Sequence, residues 1–136
     1  MGFLQLSTPA FGVENLPGPV PARVVAVIDG DTLVVQARIW IGQAVETKVR
    51  LGNIDTPELS ARCEEARRMA EAARSLVQDL ADTGEVTLHD VHLGKYAGRV
   101  LARVVAADGR DFAATLLAAG LARGYDGGAR LPWCGR

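Results

Sequence analysis

The chain has 136 residues, of which 49% are hydrophobic and 23% charged, and its formal net charge at pH 7 is −1. This length and composition predict one globular domain and exclude a disordered chain and a second domain of ordinary size. The charge excludes binding to nucleic acid through a general basic surface, because phosphate neutralisation drives such binding. Any contact with nucleic acid must therefore depend on a few local cations.

The N-terminal part differs from the rest of the chain. Residues 1–20 carry prolines and glycines without a hydrophobic period, which predicts a loose leader before a single domain at 21–136. The stretch Met1–Leu16 lacks the basic and apolar segments of a secretory signal, so no signal peptide is expected. A trimmed native N-terminus would leave a secreted or periplasmic location open. No hydrophobic run approaches a membrane span, so we expect a soluble protein without membrane contacts.

Three strands are predicted first. Residues 24–28 and 32–35 are rich in β-branched side chains and flank the dipeptide Asp29-Gly30, which is typical of a hairpin because glycine accepts a positive φ. A third strand is predicted over about 45–54. In it, basic and apolar side chains alternate, so the basic ones lie on the face opposite the core. The alternating residues are Lys48, Val49, Arg50 and Leu51.

A long helix follows, and its apolar side chains recur at three- and four-residue steps: Ala66, Met69, Ala70, Ala73, Leu76, Val77 and Leu80. Gly84 is a plausible stop signal for it. Two more strands are predicted near 85–90 and 98–106, and a short helix over about 112–119 ends at Gly120. The fold class is therefore α+β and mainly β. Five such strands are consistent with a five-stranded Greek-key barrel of the oligonucleotide/oligosaccharide-binding (OB) type.

Three segments carry residues that suggest chemistry: Asp29-Gly30-Asp31-Thr32, then Arg50 leading into Asp55-Thr56-Pro57-Glu58, then Lys95-Tyr96-Ala97-Gly98-Arg99. Each has an ordinary structural explanation when it is taken alone. The first is a turn, Thr56 and Pro57 suit the start of a helix, and the arginines suit solvated strands. Together, three carboxylates and two arginines suggest a site for one divalent metal and one phosphodiester. Phosphoryl chemistry uses a metal and cationic donors on the same oxygens.

In this order and spacing, the segments resemble those of the staphylococcal nuclease (thermonuclease) family, from about Val24 to Tyr125. The resemblance implies a calcium-dependent nuclease that hydrolyses phosphodiester bonds of single-stranded or frayed DNA and RNA with low sequence specificity, leaving 3′-phosphates. A monomer is expected. The alternative is a non-catalytic OB-fold module that binds nucleic acid or protein. Degenerate members would be expected to lose Arg50, Glu58 or Arg99, and all three are present here.

The resemblance also implies roles for individual residues. Three positions are implied as ligands of Ca²⁺: Asp31, Asp55 and the backbone carbonyl of Thr56. Glu58 is implied as the carboxylate that activates the attacking water. Arg50 and Arg99 are implied as the guanidinium pair that grips the scissile phosphate. Three further residues are implied as nucleotide contacts: Lys95, Tyr96 and Tyr125.

Two parts of the chain depart from the family pattern. The usual segment is Asp-Lys-Tyr-Gly-Arg, whereas here Gly94 stands in place of the acid and Ala97 adds one residue before Gly98. After Tyr125, residues 126–136 stand where the resemblance implies a final helix, which we therefore do not expect.

The two cysteines, Cys63 and Cys134, lie too far apart in the chain for a metal-ligand spacing. They are either two unrelated free thiols or the partners of one disulfide. In the resembled fold both segments border the active-site cleft, so a bridge would tie the C-terminal tail to the region just after Glu58. Without a bridge, we expect Trp133 to hold the tail by packing on the barrel.

Overall fold

A computed structural model describes residues 15–95 and 98–135. Its strands and helices, in chain order, are β1 (Asn15–Leu16), β2 (Val20–Asp29), β3 (Thr32–Trp40), β4 (Gln43–Leu51), β5 (Ile54–Asp55), α1 (Glu64–Leu80), β6 (Glu85–Leu93), β7 (Arg99–Ala106), α2 (Phe112–Ala118) and β8 (Arg123–Gly124). In this part of the chain, no helix has both the length and the hydropathy that a membrane crossing requires.

Five strands close into a barrel. Antiparallel pairs join β2 to β3, β3 to β4, β6 to β7 and β2 to β6, and a parallel pair of β4 with β7 completes the ring. The domain is therefore mainly β with a closed five-stranded barrel and two helices, which confirms the predicted α+β, OB-type fold class. Strand β1 extends the sheet by pairing with β6, although its residues fall within the predicted leader. Residues 1–14 lie outside the described part of the chain.

The core lies inside the barrel and under α1. Apolar residues on the inward faces of β3, β4 and β6 are almost fully buried, as the period-two alternation requires. The predicted apolar stripe of α1 faces the barrel, and its fully or nearly fully buried members are Ala66, Ala70, Ala73, Val77 and Leu80. Phe112 and Leu116 of α2 are also fully buried, which holds the short helix against the same core.

The third predicted strand is broken near its end. Strand β4 stops at Leu51, and a turn follows in which Asn53 has a φ of 66°. Asparagine tolerates this left-handed conformation better than most residues. The chain then re-enters extended structure as β5, which pairs with β8 near the C-terminus. The break redirects Asp55 away from the barrel ladder and towards the last part of the chain.

Helix α1 begins at Glu64, later than Thr56 and Pro57 would indicate as helix-start residues. Thr56 and Pro57 are instead buried in the loop that precedes it. Glu64 and Glu65 occupy the first turn of α1, where carboxylates interact favourably with the helix dipole. The loop between β5 and α1 is thus free to form one wall of a site.

A disulfide joins Cys63 at the start of α1 to Cys134 in the C-terminal tail. Cys63 also contributes its backbone N–H, which lies 3.1 Å from Cys134 Sγ. The tail is therefore attached beside the loop that carries Glu58.

Candidate active site

The β2–β3 turn packs against α1 and the loop after β5. A Cβ added at Gly30 would lie 2.7 Å from Ala73 Cβ and 3.1 Å from Thr56 Oγ1, so only glycine allows this close approach. The contact brings Asp31 against the backbone of Thr56, whose N–H lies 3.4 Å from Asp31 Oδ2. Two segments that are distant in sequence thereby form one acidic corner.

Asp31 is buried and hydrogen-bonded. Its Oδ1 accepts from Thr32 Oγ1 at 3.0 Å, and its Oδ2 faces Arg50 Nη2 at 3.4 Å. The backbone carbonyl of Asp31 also accepts from Leu51 N at 2.8 Å, which fixes the turn to the end of β4. The side chain is held in place before any ligand arrives.

Arg50 is buried rather than solvated, which differs from its expected place among exposed strand residues. Its Nη1 donates to the carbonyls of Leu51 and Ile54, both at 2.9 Å, and its Nη2 lies between Asp31 and Asp55 at 3.4 and 3.7 Å. These two carbonyls belong to the last residue of β4 and the first residue of β5, because the turn between the strands curls around the guanidinium. Arg50 Cζ also lies 5.6 Å from the centre of the Tyr125 ring.

These groups surround a small polar cavity of about 110 Å³, lined by Asp29, Asp31, Thr32, Arg50, Thr56, Pro57, Glu58, Arg99 and Arg130. The structure therefore brings the two arginines of the predicted phosphate clamp, Asp31 and Glu58 to one place. Arg99 reaches the cavity from the start of β7, because the parallel pairing sets β7 beside β4. Asp55 is adjacent, at 2% exposure.

The sequence indicates that Asp29 is a turn residue, yet its side chain also lines the cavity. Burial, and then a hydrogen bond and repulsion from Asp31, raise its pKa from 3.8 to about 6. Among the described residues, neither Asp29 Oδ1 nor Thr56 Oγ1 has a hydrogen-bond partner. A buried oxygen without a partner is costly, so these atoms mark a place where a ligand would be favourable.

Two further residues contact the site although neither is predicted there from the sequence: Arg130 and Trp133. Arg130 Nη2 donates to Asp55 Oδ1, and Arg130 Nη1 donates to Glu58 Oε1 at 2.9 Å. Trp133 Nε1 donates to the other oxygen of Asp55 at 3.0 Å. Partial burial lowers the pKa of Arg130, but hydrogen bonds and attraction from Asp55 and Glu58 outweigh it and raise the pKa. The disulfide, which was one of the two alternatives for Cys63 and Cys134, was the one sequence signal that could have placed this segment near Glu58.

The residues expected to contact nucleotide have mixed outcomes. Lys95 Nζ donates to the carbonyl of Gly127 at 3.1 Å, and Tyr125 Oη donates to that of Gly128 at 2.7 Å. Both therefore face the C-terminal tail beside the site. Tyr96 lies outside the described residues.

The oxygen atoms at this site are of the kind that bind a hard cation, but the carboxylates are not grouped around one point. Carboxylates and carbonyls are the ligands that Ca²⁺ prefers, and the partnerless Asp29 oxygen adds one more. Within residues 15–95 and 98–135, however, no group of three or more His, Cys, Asp or Glu side chains is placed to hold a metal ion. Arg50 lies between Asp31 and Asp55, and Arg130 bridges Asp55 and Glu58, so guanidinium groups separate the carboxylates.

Comparison with known proteins identifies a family that the chain resembles. A family model described as staphylococcal nuclease homologue matches residues 48–130, which is more than half of the chain. A search of curated proteins returned no match. The matched interval contains Arg50, Asp55, Glu58 and Arg99 but begins after the β2–β3 turn. The association of Asp31 with these residues therefore depends on the geometry.

Proposed function

We propose that this chain, which belongs to the family of staphylococcal nuclease homologues, is a calcium-dependent nuclease. Its substrates are single-stranded or frayed DNA and RNA, cleaved with low sequence specificity to leave 3′-phosphates. The observation that supports this most strongly is the convergence of Arg50, Arg99, Glu58 and Asp31 on one small polar cavity. Cationic forks and carboxylates on the same few ångströms of surface suit a phosphodiester and a divalent cation.

Asp31, Asp55 and the Thr56 carbonyl are the proposed ligands of calcium, with Asp29 as an additional oxygen donor close by. When bound, Ca²⁺ would act as a Lewis acid that draws charge from the phosphate oxygens. The site would bind it weakly in the absence of substrate, because few protein carboxylates contribute. The role of the protein here is to hold the acidic side chains together against their mutual repulsion.

Arg50 and Arg99 are the proposed phosphate clamp. Charge builds on the equatorial oxygens as phosphorus gains a fifth ligand, and groups already directed there lower the barrier by about 3–4 kcal/mol per contact. Arg50 is oriented in advance by its two backbone carbonyls, so little reorganisation is needed. Guanidinium groups also match phosphate oxygens two at a time and stay charged at any working pH.

Glu58 is the proposed general base. Its side chain is 57% exposed, so water reaches it, whereas Asp55 beside it is almost fully buried. A carboxylate in this position can take a proton from a water that attacks the phosphate held by the arginines. In the structure, Glu58 is paired with Arg130, and this pair must separate or loosen for Glu58 to act as a base.

That pairing also supports a second candidate function. If Arg130 stays on Asp55 and Glu58 permanently, the chain is a non-catalytic OB-fold module that binds nucleic acid or protein. The retention of Arg50, Glu58 and Arg99 favours the enzyme, because a binding module has no need of a general base beside a phosphate clamp.

One assay separates the two functions. Purified protein is incubated with labelled single-stranded DNA in calcium and then in excess chelator, beside the variant Glu58→Gln. We expect cleavage in calcium, none in chelator, and a loss of at least about a hundredfold in the variant. Phosphatase-sensitive 3′ ends on the products would support the proposed cleavage position. Full activity in chelator contradicts the calcium assignment, and binding without cleavage under every condition supports the module.

A further inference from the structure

The C-terminal segment 126–135, named the C-terminal strap below, lies across the candidate active site. It contains no helix or strand, and polar contacts to the site hold it in place. Its contacts involve two of the acidic side chains and two of the proposed nucleotide contacts. The strap therefore occupies groups that the proposed nuclease needs for its metal and its substrate.

The first set of contacts joins side chains of the strap to the carboxylates of the site. Arg130 donates to Asp55 and Glu58 at once, and Trp133 donates to the second oxygen of Asp55, so both oxygens of that carboxylate are bonded to the strap. A guanidinium bridging two carboxylates supplies positive charge close to the place proposed for the divalent cation. Both cations cannot share these oxygens, because at such separations like charges repel strongly in a partly buried site.

The second set of contacts is made by the backbone of the strap. The carbonyl oxygens of Gly127 and Gly128 accept from Lys95 and Tyr125. Two donors that would otherwise be available to a phosphate or a base are thereby used within the chain. A nucleotide at this position would have to displace the strap backbone as well as Arg130.

Two sets of interactions hold the strap against the domain. The Cys63–Cys134 disulfide ties its end to the start of α1. Arg123 donates to the carbonyls of Leu131 and Pro132, both at 3.0 Å, and its guanidinium lies 3.7 Å from the centre of the Trp133 ring. The Arg130 side chain is itself 42% exposed, so its release needs no disruption of the core.

We propose that the C-terminal strap is an autoinhibitory element, in which Arg130 competes with the divalent cation for Asp55 and occupies Glu58, the proposed general base, while the Cys63–Cys134 disulfide keeps the strap closed. The inference rests on the proposed function, since it concerns the same site. A dithiol reductant breaks the Cys63–Cys134 bond by giving two electrons and two protons to the disulfide. The products are the free thiols of Cys63 and Cys134 and the oxidised, cyclic disulfide of the reductant.

The test compares calcium binding in oxidised wild type, wild type reduced with dithiothreitol, and Arg130→Gln. Calcium affinity is measured by isothermal titration calorimetry, without any substrate. A site that is open only a tenth of the time binds about tenfold more weakly than an open one. We therefore expect Arg130→Gln and reduced wild type to bind calcium about tenfold more tightly than oxidised wild type.

Arg110→Gln is the matched control, because Arg110 is also an exposed arginine paired with a carboxylate, in this case Asp108. It removes the same charge from the β7–α2 turn and should leave the calcium affinity unchanged. A second titration uses fluorescein-labelled single-stranded oligothymidylate in excess chelator, followed by anisotropy. Here too, Arg130→Gln and reduced wild type should bind several-fold more tightly than oxidised wild type.

Equal or weaker calcium binding by Arg130→Gln overturns the proposal, and so does weaker oligothymidylate binding, which would make Arg130 a substrate contact. If no form of the protein binds calcium, the calcium assignment of the proposed function fails. The oligothymidylate titration then decides on the strap alone. Thermal melting of each form shows whether it is folded. If Arg130→Gln does not fold, the comparison is made with reduced wild type. If reduction unfolds the protein, the comparison is made with Arg130→Gln.

Discussion

Arg50 and Arg99 have the same proposed role but different surroundings. Arg50 is enclosed by two backbone carbonyls and two carboxylates, whereas Arg99 lines the cavity from the start of a strand and is only partly buried. The first is therefore a structural as well as a chemical residue. Replacing Arg50 should therefore affect stability as well as activity, whereas replacing Arg99 should mainly affect activity.

Replacing either arginine by lysine should lower the nuclease rate by about a hundredfold or more, because lysine keeps the charge but loses the planar fork. Arg50→Lys should also lower the free energy of unfolding by about 2 kcal/mol, since the carbonyls of Leu51 and Ile54 lose their donor. Arg99→Lys should lower stability by less than Arg50→Lys does, because Arg99 is only partly buried. Initial rates and urea unfolding measure the two effects. A near-normal rate in either variant would show that this arginine is not part of the phosphate clamp.

Asp29 gives the site a pH dependence in the absence of metal. Its pKa is about 6 in the folded protein against 3.8 unfolded, mainly because burial disfavours the charged form and then because Asp31 lies close. Between these two values the folded state binds more protons than the unfolded state. The contribution of this group to stability is therefore complete at low pH and is lost as pH rises through about 6.

Asp29→Asn removes the cost of this buried charge. Above the folded pKa, we expect the variant to be more stable than wild type by about 1 kcal/mol, after discounting the pKa shift for the solvent that reaches a half-buried group. At low pH, where Asp29 is protonated in both states, the difference should disappear. Urea unfolding in chelator across this pH range measures it, and a constant difference between the two proteins would show that Asp29 is not the group responsible.

At the scale of elements, the break between β4 and β5 shapes the site. The Asn53 turn ends the β4 ladder and wraps two carbonyls around Arg50, and it lets β5 pair with β8. The pairing with β8 brings the C-terminal strap close to Asp55. One local conformation thus positions both Arg50 and the carboxylate that the C-terminal strap contacts.

The disulfide is the second device at this scale, because it closes a loop of about 70 residues. In the chain-entropy model, such a bridge contributes roughly 4 kcal/mol to stability. We expect the Cys63→Ser/Cys134→Ser variant to unfold at a correspondingly lower urea concentration than oxidised wild type. Alkylation of denatured, unreduced protein followed by mass measurement should find no modified thiol, and two modified thiols would mean that the bridge is absent.

At the scale of the whole molecule, the charge is almost balanced. A net charge of −1 gives no general field to attract phosphate, so binding depends on the few cations at the site. The dependence of nucleic-acid binding on ionic strength would therefore report the number of phosphates that these cations contact.

Binding of single-stranded oligothymidylate to the open form, Arg130→Gln in chelator, should show a shallow salt dependence. With about three phosphate contacts, the logarithm of the association constant should fall with the logarithm of salt concentration with a slope of about −2. Anisotropy titrations at several salt concentrations measure it. A slope several times steeper would reveal a basic surface that the charge balance does not predict.

The order of the five barrel strands and the two helices was predictable because each depends on neighbours in the sequence, whereas the short strands β1 and β8 were not predicted. The alternation around Val49 and the helical period from Ala66 to Leu80 each correspond to one observed element, and the turn at Asp29-Gly30 does likewise. The family followed from motif spacing, which is also a local property. Several residues of the candidate site could therefore be named before its geometry was known, but Asp29, Arg130 and Trp133 could not.

The state of that site depended on tertiary structure. Whether Arg50 is buried, whether Asp29 carries a raised pKa and whether Arg130 covers Asp55 are decided by contacts between residues far apart in the chain. Such contacts leave no period and no spacing, since any exposed arginine in a tail looks the same in sequence. The amino-acid sequence by itself determined the main strands and helices and the family to which the chain belongs. Folding alone decided that a distant guanidinium lies on Asp55, one of the carboxylates proposed to hold calcium, because ion pairs form between whatever charges the fold brings together.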